Sequence, residues 1–126
     1  MTYAVAASAV AVAPTPESSD ALIDRAHLAQ MTLGDAALER EILSLFARQA
    51  ELLLERMQAM PPAAVSTLAH TLKGSARGVG AWNVARAAEA VELADGTLAE
   101  FRAAIERLGA EIVATRALIA DMLRTH

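Results

Sequence analysis

From residue 35 onward, apolar side chains recur every three or four positions, and proline and glycine interrupt that rhythm at only a few points. Across Asp35 to Met60 the apolar positions are Leu38, Ile42, Leu45, Phe46, Leu52, Leu53 and Met57. These intervals predict an amphipathic helix with those residues on its inner stripe and Asp35 as its N-cap. Pro61-Pro62 ends it, and Pro62 suits the first turn of a following helix that runs to about Arg77, where Gly78-Val79-Gly80 supplies C-cap chemistry. A further helix is predicted from about Ala81 to Ala94, stopping at Asp95-Gly96. A last one runs from near Thr97 to about Leu123 and carries Leu98, Phe101, Ile105, Leu108, Ile112, Leu118 and Ile119. Upstream, Asp24 can cap a brief helix through Met31 before Gly34 breaks the chain. No segment alternates as a strand does, and the abundance of Ala and Leu favours helix. Short connections make long helices antiparallel neighbours. The expected fold is therefore all-α, an up-down-up-down four-helix bundle with a short extra N-terminal helix, formed as one domain over residues 20–126.

Residues 1–19 read as a flexible extension. Met1 to Ala13 is rich in Ala and Val, lacks charge and is too short to span a bilayer. Its Ala11-Val12-Ala13 triplet resembles a signal-peptidase site, but no Lys or Arg precedes it, and Pro14 to Ser19 reads as a linker. With 11 Lys+Arg against 15 Asp+Glu the net charge is −4, so the chain lacks the basic stripe of a nucleic-acid binder. It has no Cys, hence no disulfide and no thiolate metal site. The expectation is a cytoplasmic monomer that binds neither membrane nor metal.

The helix after Pro62 carries the chemistry. On a wheel at about 100° per residue with His70 at zero, Val65, Leu68, Leu72, Ala76 and Val79 fall between roughly 160° and 240°, opposite the histidine. Lys73, Gly74 and Arg77 lie at roughly −60°, +40° and −20°, beside it. His70, Lys73 and Arg77 are thus expected to form one outward polar patch. A glycine inside a helix costs about 1 kcal/mol relative to alanine. Helical side chains lean toward the N-terminus, so a side chain at position 74 would overhang the imidazole, and its absence opens the ring to a large partner. Lys73 offers a mobile cation for phosphoryl oxygens, and a neutral imidazole is a competent nucleophile. An exposed His beside a Lys is, however, ordinarily just a solvated face, and the wheel alone does not exclude that. Arg77 reads as a surface cation that can assist partner binding. Trp82 is expected to cap the bundle end, while His27 and His126 lack motif company. Lys73-Gly74-Ser75 is not a phosphate loop, because the order is wrong and no strand precedes it.

His70-Thr71-Leu72-Lys73-Gly74-Ser75-Ala76, with Gly80 downstream, resembles the signature of histidine phosphotransfer domains over about residues 20–126. The resemblance implies that His70 is phosphorylated, that Lys73 contacts the phosphoryl group and that Gly74 leaves room for a receiver domain. It also assigns Glu92, twenty-two residues after His70, to hydrogen-bond and orient the imidazole. Glu89, one turn earlier, shares its face as a solvated carboxylate on the partner-binding side. The implied partners are response-regulator receiver domains and an upstream (hybrid) histidine kinase. Mg²⁺ is expected in the partner receiver and no cofactor on this chain. With no Walker loop, kinase-type glycine loop or acidic Mg²⁺ cluster, the chain is expected to be a phosphotransfer intermediate without ATP-dependent kinase activity. Two rival readings are a kinase-associated phosphotransfer module phosphorylated in trans by an ATP-binding domain, slightly favoured by Glu92, and a non-catalytic helical adaptor. The dimerisation helix of a histidine kinase fits less well, since its usual Glu and downstream Pro are absent.

Overall fold

The computed structural model describes residue 15 and residues 18–125. The Ala/Val-rich segment, most of the proline linker and His126 lie outside the described residues. The described residues form helices and turns with no strand. The helices are α1 (Ser19–Leu22), α2 (Arg25–Thr32), α3 (Ala36–Ala59), α4 (Ser66–Val79), α5 (Trp82–Leu93) and α6 (Leu98–Arg124), with a 3₁₀ turn at Pro62–Ala64.

Local chemistry sets most of these boundaries. Asp24 Oδ1 accepts from the His27 amide, Asp35 Oδ1 from the Leu38 amide, and Thr97 and Glu100 form a reciprocal capping box. Leu33 (φ 54°) and Gly34 (φ 76°) both turn left-handed to close α2. Two boundaries depart from the sequence expectation. A separate helical turn, α1, precedes α2 and is capped by Ser18, so the extension gives way to helix at Ser19. After Pro62 the backbone first makes a 3₁₀ turn, and α-helical bonding starts only at Ser66 and continues to Val79.

The four long helices close a ring in which α3 packs on α4 and α6, and α5 packs on α4 and α6. Cross-helix contacts run in opposite chain order, as antiparallel neighbours require. Arg40 donates to the Leu123 carbonyl while Glu51 pairs with Arg116, and His70 meets Glu92 while Arg77 meets Glu89. The pairing of α4 with α5 is the most extensive. Small buried residues on α5 (Ala85, Ala87 and Ala88) and on α4 (Ala69 and Ala76) let those two backbones approach closely.

The inner stripe of α3 is rotated from the expected one. Leu43, Phe46, Ala50, Leu53 and Met57 are buried, whereas Leu38, Leu45 and Leu52 are exposed and Ile42 is half-buried. On α4 the buried set is Ala69, Leu72, Ala76 and Val79, joined by Val65 just before the helix, with Leu68 only half-buried. Leu72 takes its place fully inside, and His70 points the other way.

The short N-terminal helices are fixed at the end of the bundle where α4 turns into α5. Gly80 (φ 82°) caps α4, and its carbonyl accepts from the Asp24 amide. A Cβ on Gly80 would lie 3.1 Å from both the Cβ and the carbonyl oxygen of Asp24, so this glycine serves both the left-handed turn and the close approach. Trp82 Nε1 donates to Asp24 Oδ2 at 2.9 Å, and the His27 ring meets Trp82 edge-on with centroids 5.1 Å apart. His27, which had no company in the sequence, is thus part of the joint that holds α2 down.

Candidate functional site

Because Leu72 and Ala76 anchor α4 in the core, the opposite face of the same helix is presented outward. His70 lies there with 68% of its side chain exposed. Glu92, one residue after the buried Val91 near the C-terminal end of α5, reaches back across the seam to it. Its Oε2 lies 2.8 Å from His70 Nδ1. An ionised carboxylate only accepts hydrogen bonds, so Nδ1 carries a hydrogen, and in the neutral ring Nε2 then holds the lone pair. Among the described residues Nε2 has no hydrogen-bond partner.

Lys73 departs from the outward position expected of it. Only 13% of its side chain is exposed, and its Nζ sits 2.8 Å from Glu92 Oε1, on the other oxygen of the carboxylate that holds His70. The cause lies on α5. Two carboxylates there, Glu92 and Glu89, draw the ammonium into the helix seam. Glu89 is half exposed, and its Oε2 lies 3.9 Å from Lys73 Nζ and 3.8 Å from an Arg77 guanidinium nitrogen. The result is a run of alternating charge along the seam, in the order Glu92, Lys73, Glu89, Arg77, with the His70 ring hydrogen-bonded at its Glu92 end. Hydrogen bonds from Lys73 first and from His70 second hold the Glu92 carboxyl below its ordinary value, against a smaller opposing effect of desolvation.

The other flank of His70 has a different character. A Cβ built on Gly74 would have nothing within 4 Å, so no helix packs against this glycine. From Ser75 a shallow groove of about 260 Å³ opens between α4 and α3, lined by Ile42, Leu45, Phe46, Gln49, Ser75 and Val79. Leu45, expected in the core, lies at the rim of this groove, and its seven-residue spacing from Leu38 and Leu52 marks a separate stripe. Six of the singled-out residues on α4 and α5 (His70, Lys73, Gly74, Arg77, Glu89 and Glu92) fall in one region. His27 and Trp82 belong instead to the far end of the bundle.

No group of three or more metal-ligating side chains occurs among the described residues, and no described helix is long and apolar enough to cross a membrane. A family model described as Hpt domain matches residues 41–123, well over half of the chain. That span holds α4, α5 and the whole charged seam. Neither a curated protein nor a solved structure matches the chain.

Proposed function

The chain belongs to the Hpt domain family, whose members serve histidine phosphotransfer in two-component signalling, and from that premise we propose that it relays a phosphoryl group through His70 between the aspartates of receiver domains. The observation that carries this reading is the pairing of an exposed imidazole with a carboxylate on Nδ1, which leaves Nε2 free to attack. In the forward step the Nε2 lone pair attacks the phosphorus of a receiver aspartyl phosphate. The N–P bond forms as the acyl P–O bond breaks, and the aspartate carboxylate leaves with the bonding pair. The ring then carries positive charge, keeping its hydrogen on Nδ1 and donating it to Glu92, so the charge created by transfer already faces a carboxylate. Reversal passes the group to a second receiver.

Each neighbour has a part in this scheme. Glu92 orients the ring and favours the productive tautomer. Lys73 contributes the positive charge against which the phosphoryl dianion is balanced. Gly74 admits the receiver's aspartyl phosphate to in-line distance, and Arg77 and Glu89 lie at the rim that the partner approaches. The receiver supplies the acidic pocket and its Mg²⁺, and this chain binds no cofactor for the step. Catalysis is then positioning plus charge neutralisation, without ATP chemistry on this chain.

The test is acid-labile label after incubation with a phosphorylated receiver. Wild type should take up label and His70→Gln should take up none, with an unchanged circular dichroism melt because residue 70 is exposed. Label retained by the variant sinks the assignment. Labelling by a kinase ATP-binding domain with no receiver present would instead support the kinase-associated module.

A further inference from the structure

The outer face of α3 carries a leucine stripe that the bundle does not cover. Leu38, Leu45 and Leu52 are 39%, 49% and 48% exposed. Their seven-residue interval keeps them within roughly 40° of one another on the helix surface. Single apolar side chains in water are ordinary, but a continuous stripe of them marks a contact surface. Glu41 and Arg48 stand exposed along one edge of the stripe, and Ile42 and Gln49 lie along the other, toward α4. Among the described residues neither Glu41 nor Arg48 takes part in an ion pair. We propose that this face of α3 is an interface between two copies of the chain, packed antiparallel about Leu45, with Glu41 of each copy paired to the partner's Arg48. The proposal departs from the monomer expected from sequence.

A second copy is the occupant because the stripe is complementary to itself. In a twofold pair of antiparallel helices, residues equally far on either side of the axis meet, and each contact is made twice. With the axis at Leu45 that leucine meets its own copy, and Leu38 meets the partner's Leu52. Antiparallel twofold packing also sets an edge of one stripe against the same edge of the other. Glu41, four residues before Leu45, therefore faces the partner's Arg48, three residues after it. A parallel pair would set that edge against the partner's Ile42 and Gln49 and leave both charges without a counterpart. Glu55 and Arg56 reach the level at which the partner's α3 begins, so no like charges are brought together along the stripe. Leu45 also walls the groove that holds Ser75 and Val79, so a copy seated on Leu45 covers that groove as well. One helix pair buries less than a standard interface, which makes the association weak and concentration-dependent. The two charge pairs fix register and orientation more than they add affinity.

The experiment is sedimentation equilibrium of the full chain from about 10 μM to about 1 mM, the range in which so small a contact associates. The mean mass should climb from that of one chain toward that of two. Arg48→Glu sets like charges face to face at both ends and should weaken association at least about tenfold, and Glu41→Arg should do the same. The double variant Glu41→Arg/Arg48→Glu exchanges the charges and should recover wild-type association. All these side chains are exposed, so the fold should survive, which circular dichroism checks. The chain has no Cys, so Leu45→Cys places a single thiol on the twofold axis. It should cross-link to its own copy on mild oxidation much faster than Val113→Cys, whose position is exposed on α6. A mass that stays at one chain throughout, a double variant no better than the single ones, or equal cross-linking at the two positions overturns the proposal. If wild type stays monomeric while Leu45→Asp slows labelling by a receiver, the stripe belongs to the receiver and not to a second copy. Mass and cross-linking read out the interface whether or not His70 is the phospho-acceptor.

Discussion

Gly74 allows steric access and helix stability to be separated at a single position. It lies inside α4, where glycine costs about 1 kcal/mol relative to alanine. A Cβ there meets nothing within 4 Å, so no packing penalty offsets the gain. Gly74→Ala should therefore stabilise the isolated protein by about 1 kcal/mol, which for a domain of this size raises Tm by about 4 °C. Gly74→Gln should gain slightly less stability, and its longer side chain leans back along the helix toward His70. Phosphotransfer from a receiver should fall at least about tenfold in the Gln variant, equivalent to about 1.4 kcal/mol of barrier. Phosphoramidate needs far less room and should label both proteins at similar rates. The assay is a thermal melt together with single-turnover labelling from the two donors. A lower Tm in Gly74→Ala would show that the added carbon meets something, and equal slowing with both donors would remove the steric argument.

Three further outcomes follow from the packing and the seam. Because Glu92 titrates below its ordinary value of 4.5, the stability it contributes is complete above that value and disappears as pH falls through the depressed one. The gap in urea midpoint between wild type and Glu92→Gln should accordingly hold above the ordinary value of 4.5 and close as the pH is taken below it, and a constant gap would show that the carboxylate's charge is not its source. Asp24→Ala removes the α2 cap and the acceptor of Trp82 Nε1 together and should cost about 2 kcal/mol in chemical denaturation. A loss near zero would mean the joint at the bundle end is not formed in solution. Leu53→Ala should destabilise by about 3 kcal/mol and Leu52→Ala by less than about 1, since the first is buried and the second half exposed, and equal losses would restore the stripe expected from sequence.

The capping residues were legible because their chemistry is local. Asp24 and Asp35 each bond the amide three places along the chain, and a reader of sequence needs nothing else. The facing of α4 was legible for a similar reason, since Leu72 and Ala76 leave His70 only the outside. The facing of α3 was not. Leucines occur on both of its sides, and only the positions of α4 and α6 decide that Leu43 turns inward while Leu45 stays at the rim. The α1 turn is four residues long, too short to show any period. Lys73 was misplaced because a helix wheel sees one helix at a time, and the carboxylates that draw the side chain inward belong to α5.

Trp82 is the only tryptophan in the chain. Its indole NH is bonded to Asp24 at the joint where α2 meets the turn from α4 to α5, while His70 lies more than two helical turns away along α4. The protein therefore carries a built-in optical probe whose emission reports whether the N-terminal helices are seated and is insensitive to the chemistry at His70. Attachment of that segment can be followed by fluorescence during phosphotransfer itself, with no label added and no overlap between the two signals.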